Sequence, residues 1–357
     1  MTPAPVDDLE PPVSLSQVGD RVECRLTEML DQEVERWNQV DADIETPLLA
    51  LRDFIRSGGK RLRPAFCFWA FVGAGGDPES TEIIDVGAAL EMLHTFALIH
   101  DDIMDDSDRR RNKPSVHALF ITTHESKQWK SESRRFGEGA AILIGDLAAI
   151  YADVLFSKRD NISEGIFNEL RIELCVGQYL DLMGTATSSV DPVKAARIEE
   201  YKSGKYTVER PLHLGAALAG RFSELSESLS VVGLPMGAAF QLRDDLLGVF
   251  GDSEVTGKPV GDDLREGKLT PLIAAAAARA NSSETTQLQR IGHRNLRDDE
   301  IFRLQEILVS TGARDEVERE IKRLTEESMR ALSESKISRE ARNALEELGA
   351  YVAWRNS

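Results

Sequence analysis

Two short acidic segments hold the residues best suited to chemistry. In His100-Asp101-Asp102-Ile103-Met104-Asp105-Asp106, Asp101 and Asp105 are four apart, so a helix projects both carboxylates from one face. Like charges at that spacing repel, and near a helix C-terminus they also oppose the macrodipole. Hard divalent cations such as magnesium would offset the cost, taking carboxylate oxygens and keeping positions for water and substrate phosphates. A second segment, Phe240-Gln241-Leu242-Arg243-Asp244-Asp245, again puts paired aspartates after apolar turns. A solvated acidic face explains one such cluster; two of the same form favour carboxylates that hold several magnesium ions between them.

The scarce bases are clustered as well. Ser57-Gly58-Gly59-Lys60-Arg61-Leu62-Arg63-Pro64 sets three cations behind a glycine pair, and Arg109-Arg110-Arg111 follows the first aspartates within two turns. Lys202, Lys205, Lys258 and Lys268 punctuate the later half. Arginine forks match phosphate oxygens bidentately, lysine acts as a point charge, and glycine lets backbone approach an anion. A basic triplet alone is as readily solvated surface, but alternating acids for metal and bases for phosphate fit a diphosphate substrate. Neither GxxxxGK[ST] nor a GxGxxG between strand and helix is present, so a nucleotide fold is set aside. No Ser/His/Asp or Cys/His arrangement stands out for a nucleophile. His94 lies seven residues before Asp101 and shares its face.

These groups need helices to position them. Ile84, Ala88, Met92, Phe96, Ile99 and Ile103 recur at threes and fours over Thr81–Asp106, and similar patterns run through Gly139–Phe156, Ile162–Met183, Leu225–Phe250 and Asp299–Val309. Asp191-Pro192 supplies a cap and a first-turn proline for another helix. Period-two alternation is almost absent, so no sheet is expected. Ser57–Gly59, Gly73–Pro78, Thr123–Phe136 and Gly251–Gly267 read as loops, none with the composition of an interdomain linker. The expectation is an all-α protein of about ten helices, a flexible tail over residues 1–15 and one helical domain over 16–357.

Composition bounds the function. The chain has 357 residues, 41% hydrophobic and 29% charged, with 43 Lys plus Arg against 61 Asp plus Glu, a net charge of −18. That is a folded globular composition. Its acidity argues against nonspecific nucleic acid binding or anionic lipid binding. Three scattered cysteines, Cys24, Cys67 and Cys175, suit a reducing compartment better than a disulfide framework. The acidic, proline-rich start is unlike a signal peptide, and no unbroken apolar run approaches the roughly 18 residues of a membrane span. A cytoplasmic location is expected.

Taken together, these motifs resemble the trans-polyprenyl diphosphate synthases, of the all-α isoprenoid synthase fold, a helical bundle around a central cavity. The matching residues are Gly58-Gly59-Lys60-Arg61-Leu62-Arg63-Pro64, Leu98 through Asp105 with Arg110-Arg111, and Phe240 through Asp245. Thr256-Gly257-Lys258 and Gly261-Asp262-Asp263 followed by Lys268 continue the likeness, which spans about residues 50 to 275. The resemblance implies that Asp101, Asp105 and Asp244 hold magnesium against an allylic diphosphate, with Asp102 and Asp245 supporting. It implies that Lys60, Arg63, His94 and Arg111 bind isopentenyl diphosphate. Arg110, Lys202, Ser203, Gln241, Lys258 and Lys268 would serve the allylic diphosphate, with Lys205 a second candidate beside Lys202. A homodimer is implied too.

Three departures stand out. Gly248 occupies the fifth position of the second cluster, where many members carry aspartate; Asn112 replaces a common glycine; and Lys202-Ser203-Gly204 is a weaker match. Phe96 is large and Ala97 small one turn before Asp101, a pattern resembling geranylgeranyl-forming members, with farnesyl-forming ones second. Two other classes compete. A terpene cyclase needs no isopentenyl site, so Lys60, Arg63 and Arg111 speak against it. A non-catalytic helical subunit would be expected to lose aspartates of the first cluster, and all are present.

Overall fold

The structure is a computed structural model describing residues 10–187, 191–251, 260–268, 270–293 and 295–355. Backbone contacts divide it into two compact units, although the sequence shows no linker. The first unit comprises Val13–Phe68 and Asp77–Arg159; the second holds Trp69–Gly76 and the described residues from Asp160 onward, together with residues 10–12.

The first unit is built from α1 (Val13–Asn38), a 3₁₀ turn (Ala42–Ile44), α2 (Glu45–Arg56), the start of α3 (Leu62–Gly73), α4 (Thr81–Met104), α5 (Val116–Ser126) and α6 (Ser133–Phe156). Ser80 opens α4 by accepting a hydrogen bond from the Glu82 amide at 3.2 Å. Residues 13–15, expected to belong to a tail, are helical: α1 begins at Val13 because Leu15, Val18 and Val22 bury one face. The loop expected over Thr123–Phe136 also shrinks, since α5 runs to Ser126 and α6 starts at Ser133.

One expectation on sheets is corrected. Arg109–Arg110 and Lys113–Pro114 form a two-stranded antiparallel hairpin, with Arg110 opposite Lys113. Its two turn residues, Arg111 (φ 52°) and Asn112 (φ 61°), are both left-handed, as a primed hairpin turn requires. Asparagine tolerates that conformation, so Asn112 does the work of the glycine that it replaces. A two-residue strand is too short to leave a periodic trace in sequence.

A second correction concerns apolar length. By length and composition α4 and α6 are each apolar enough to cross a membrane, a property that charged interruptions hide from a search for one unbroken run. Most of that stretch of α4 is buried within the protein, as a core helix requires. Less of α6 is buried: Ile142, Leu143, Ile150 and Val154 stay exposed on it.

The second unit contains α7 (Asn161–Thr187), α8 (Pro192–Glu199), a π-helical stretch (Glu200–Glu209), α9 (Arg210–Leu218) and α10 (Phe222–Phe250). After these come α11 (Asp262–Glu266), α12 (Pro271–Ala277), α13 (Ser282–Leu288), α14 (Asp298–Ser310), α15 (Ala313–Glu334) and α16 (Arg339–Trp354). The expected cap is present: Asp191 accepts from the Val193 amide at 2.9 Å. Leu242, Leu246 and Val249 of α10 join Leu264, Leu272, Leu304, Leu308, Val317 and Ile321 in one core. The helices outnumber the expected ten because short capped pieces such as α12 and α13 leave too few turns for periodicity to register.

Candidate active site

In the first unit the aspartates sit where α4 ends. The Asp105 amide donates to the Asp101 carbonyl at 2.8 Å, keeping both residues on the last turn. Asp102 is the buried member, its side chain 1% exposed, and Arg110 grips it by Nε at 2.7 Å and Nη2 at 2.6 Å. Arg110 also lies 3.5 Å from Asp101. The hairpin turn directs the next residue elsewhere: Arg111 donates to the Gly58 carbonyl and stacks 5.7 Å from the Phe54 ring. Gly59 is left-handed (φ 148°), and a Cβ there would lie 2.9 Å from Arg111 Nη2 and 3.1 Å from Arg61 Nη1. Gly59 therefore lets two guanidinium groups crowd one backbone segment.

That crowding has an electrostatic signature. Burial, then the charge of Arg61, pushes the Arg111 guanidinium down to about 10. Burial also holds His94 well below the ordinary imidazole range, with Arg63, Arg111, Arg110 and Arg61 all acting in the same direction. A neutral histidine among four arginines is a place prepared for a polyanion. Because the unfolded chain takes up a proton near pH 6.5 that folded His94 refuses, this residue lowers stability as pH falls through that value. In histidine-selective NMR of the free protein, the His94 ring resonances should stay fixed from pH 8 to about 6. Adding inorganic diphosphate should bring its titration into that window; an ordinary titration in the free protein would refute the arginine cage.

His100 has a packing role. Its Nε2 lies 3.2 Å from the Ile142 carbonyl and 3.7 Å from Asp146, and its ring meets Phe96 edge-on at 4.7 Å. Gly145 makes the room, since a Cβ there would collide with the imidazole. Ala97 and Phe96 are both partly buried on α4, and Met92 is fully buried. His117 is likewise internal, 3.2 Å from the Ser115 hydroxyl.

In the second unit the candidate lysines lie on the π-helical stretch, a widened turn often kept at functional positions. Lys202 Nζ pairs with Asp181 at 2.6 Å, while Lys205 pairs with Glu173 at 3.2 Å and Glu200 at 3.4 Å. Glu173 is shared with Arg210, which holds both its oxygens at 2.7 Å. Ser203 is partly buried between the two lysines. Gly177 permits the approach of α7, since a Cβ on it would lie 2.7 Å from the Lys202 Cα.

On α10, Gln241 donates to Asp245 at 2.7 Å. Asp245 and Glu199 share a buried position, and burial raises both carboxyls above the ordinary range. Asp244 is more open and is held by Arg355, whose side chain is 0% exposed and stacks 4.6 Å from the Phe240 ring. Arg243 points away to Glu318 at 2.7 Å and the Ala353 carbonyl at 2.8 Å. Lys268 lies 2.6 Å from Glu266 and 3.3 Å from Asp263. Lys258, with Thr256 and Gly257, lies outside the described residues. Among the described residues, no three His, Cys, Asp or Glu side chains form a ready-made metal cluster.

A sequence model of the polyprenyl synthetase family matches residues 47–308, which include both aspartate clusters and the glycine-lysine-arginine segment. The chain belongs to the polyprenyl synthetase family. As a synthase of this family it is a trans-prenyltransferase with the all-α isoprenoid synthase fold. It is 36% identical over 273 residues to a geranylfarnesyl diphosphate synthase of Aeropyrum pernix, covering 74% of this chain and 80% of that protein. It is 32% identical over 266 residues to a geranylgeranyl diphosphate synthase of Methanosarcina mazei, covering 70% and 76%. The crystal structure of a geranylgeranyl pyrophosphate synthase from Corynebacterium glutamicum, complexed with isoprenyl diphosphate and magnesium, superposes with a TM-score of 0.91 at 34% identity. That match covers 95% of this synthase and 99% of the other chain.

Several residues around the synthase site escape a reading of the sequence. Asp181 and Glu173, which hold Lys202 and Lys205, both lie on α7, two turns apart. Arg355 directly follows α16, where a lone arginine after a helix reads as solvated surface. Glu91 offered a usable signal: an acid on the apolar face of α4 must have a buried cation, and Arg61 is it.

Proposed function

We propose that this synthase condenses isopentenyl diphosphate with allylic diphosphates, using magnesium, to give geranylgeranyl diphosphate. The observation that carries the reading is the pairing on one helix of two kinds of site. On α4, His94 stands among Arg61, Arg63, Arg110 and Arg111, and Asp101 and Asp105 follow seven and eleven residues later. A terpene cyclase has no use for the first.

The donor set suits the metal. Asp101, Asp105 and Asp244 offer hard, partly accessible carboxylates, and magnesium needs only one or two of these with waters and phosphate oxygens. When bound, magnesium supplies positive charge to the oxygens of the departing diphosphate. Lys202, Gln241, Lys268 and Arg110 hold that diphosphate while the allylic C–O bond breaks and the electron pair leaves with it. Lys60, Arg63, His94 and Arg111 fix isopentenyl diphosphate so that its double bond adds to the allylic carbon. Loss of a proton, to the released diphosphate, restores a double bond in a chain longer by five carbons. Asp102 keeps Arg110 oriented, and Arg61, bonded to Glu91 and the Ile55 carbonyl, anchors the segment whose turn Gly59 makes possible.

Chain length follows from α4. Phe96 and Ala97 lie one turn before Asp101, so a bulky residue at 97 would narrow the space for the growing tail. The test is incubation of the purified protein with magnesium, isopentenyl diphosphate and each allylic primer, with products dephosphorylated and sized by mass spectrometry. A twenty-carbon product is expected, shortened to fifteen carbons by Ala97→Phe. No elongation with any primer would sink the reading, and an unchanged length in the variant would remove residue 97 from the tail's path.

The exposed apolar face of α6 supports a homodimer. Leu143 is 65% exposed, with Ile142, Ile150 and Val154 on the same helix, more than an isolated surface leaves uncovered. Sedimentation should give the mass of a dimer, and Leu143→Glu should shift it toward the monomer; a wild-type monomer would refute the assignment. Cys24, Cys67 and Cys175 are free thiols, which suits the cytoplasm.

A further inference from the structure

Glu173, Gly177 and Asp181 recur at four-residue intervals along α7, so they form one stripe on that helix. All three meet the π-helical stretch. Asp181 takes the Lys202 ammonium at 2.6 Å, and bare Gly177 admits the Lys202 backbone. Glu173, which is buried, takes two cations at once: Arg210 holds both its oxygens at 2.7 Å, and Lys205 reaches one at 3.2 Å. Burial alone would raise this carboxyl, but Arg210 and Lys205 hold it below the ordinary range.

The two cations are five residues apart. Around an α-helix that interval leaves side chains roughly 140° apart, directed at different neighbours. A π-helix instead stacks residues five apart, because its hydrogen bonds join i to i+5. The Arg210 amide donates to the Lys205 carbonyl in this way. Lys205 and Arg210 are thus joined twice, once through the backbone and once through Glu173.

We propose that Glu173 is a positioning residue: by clamping Lys205 to Arg210 it keeps the stretch in π form and so aims Lys202 at the allylic diphosphate. This rests on the reading of Lys202 as a ligand of that diphosphate. Without the carboxylate, two cations held side by side repel, and nothing holds the widened turn against the commoner α form. Relaxation to an α-helix shifts the register by one residue, swinging Lys202 by about 100° out of line with the α7 stripe. Lys205 then serves the clamp, and Lys202 is the lysine of the site.

Initial rates give separate KM values for the allylic and the isopentenyl diphosphate in wild type, Glu173→Gln, Arg210→Met, Lys202→Ala and the double variant E173Q/K202A. Glu173→Gln should raise the allylic KM about tenfold and leave the isopentenyl KM within about twofold of wild type. A merely structural lesion has no reason to separate the two substrates. Arg210→Met breaks the clamp while Glu173 stays paired with Lys205, so it gives the same reading if Glu173→Gln does not fold. Because Glu173 acts through Lys202, its substitution should add nothing in the Lys202→Ala background. A wild-type allylic KM in Glu173→Gln or Arg210→Met, with Lys202→Ala impaired, overturns the proposal alone. A further tenfold loss in the double variant also overturns it and makes Lys205 the ligand. If Lys202→Ala itself keeps the wild-type allylic KM, the reading of Lys202 falls and the proposal with it.

Discussion

Asp101→Asn is expected to lower kcat by about three orders of magnitude, the scale on which one preorganised charge contact to a transition state is felt. Its melting temperature should stay within about 2 °C of wild type, the usual range for a change that breaks no buried pair. The two expectations separate because the neighbouring aspartates divide the labour. Arg110 is bound tightly by Asp102, at 2.6 and 2.7 Å, and only loosely by Asp101, at 3.5 Å. Neutralising Asp101 thus leaves the guanidinium paired and the end of α4 intact. What it removes is negative charge from the open face, where a cation must be held while charge develops on a departing diphosphate. Asp102→Asn should show the reverse balance, with a clear loss of stability, because it unpairs a largely buried arginine. Initial rates at saturating magnesium and a thermal melt on the same samples decide it. A kcat within tenfold of wild type in Asp101→Asn would remove this residue from the metal set.

How much of this is legible in the sequence depends on whether a residue's role is local. Asp101 and Asp105 can be read because a four-residue interval has one meaning in a helix, and the cap Asp191 can be read because the proline that follows it is just as local. Asn112 looks like a defect until the hairpin is seen, since only the register of Arg110 against Lys113 shows that two left-handed residues are needed. The π-helical stretch carrying Lys202 and Lys205 has no sequence period to announce it; it packs on Gly177 and Gly237, where the backbone of Lys202 and Gly204 comes too close for a side chain.

Gly248 carries the same lesson at the site itself. In sequence it is a missing aspartate, and the missing metal contact is the natural conclusion. In the structure it is the hole into which Asp263 fits, from an element fifteen residues later. Tertiary contacts between short elements decide such positions, and a glycine that is bare for someone else's side chain looks identical to one that is bare for its own backbone.

The basic segment Lys60-Arg61-Leu62-Arg63 shows where the sequence misleads, and Arg61→Met tests it. Three cations in a row suggest three phosphate contacts, yet Arg61 faces inward. Its side chain is 5% exposed, its Nη1 donates to Glu91 at 2.7 Å, and its Nη2 donates to the Ile55 carbonyl at 2.6 Å. Glu91 is 2% exposed, so removing Arg61 strands a carboxylate inside the first unit. Breaking a buried pair from one side costs about 3–5 kcal/mol, which for a chain of this size lowers the melting temperature by roughly 5–10 °C. Replacing both partners with apolar residues of similar volume, as in R61M/E91L, should recover most of the loss, because the desolvation cost of both charges disappears together. Meanwhile the KM for isopentenyl diphosphate, measured below the transition, should rise less than about tenfold in Arg61→Met, a shift under 1.4 kcal/mol. Lys60→Ala and Arg63→Ala should each raise it further while melting close to wild type. A stable Arg61→Met protein with a hundredfold higher KM would make Arg61 a phosphate ligand and Glu91 a bystander. The left-handed backbone at Arg61 (φ 51°) argues otherwise: it turns the side chain toward Glu91 and the Ile55 carbonyl.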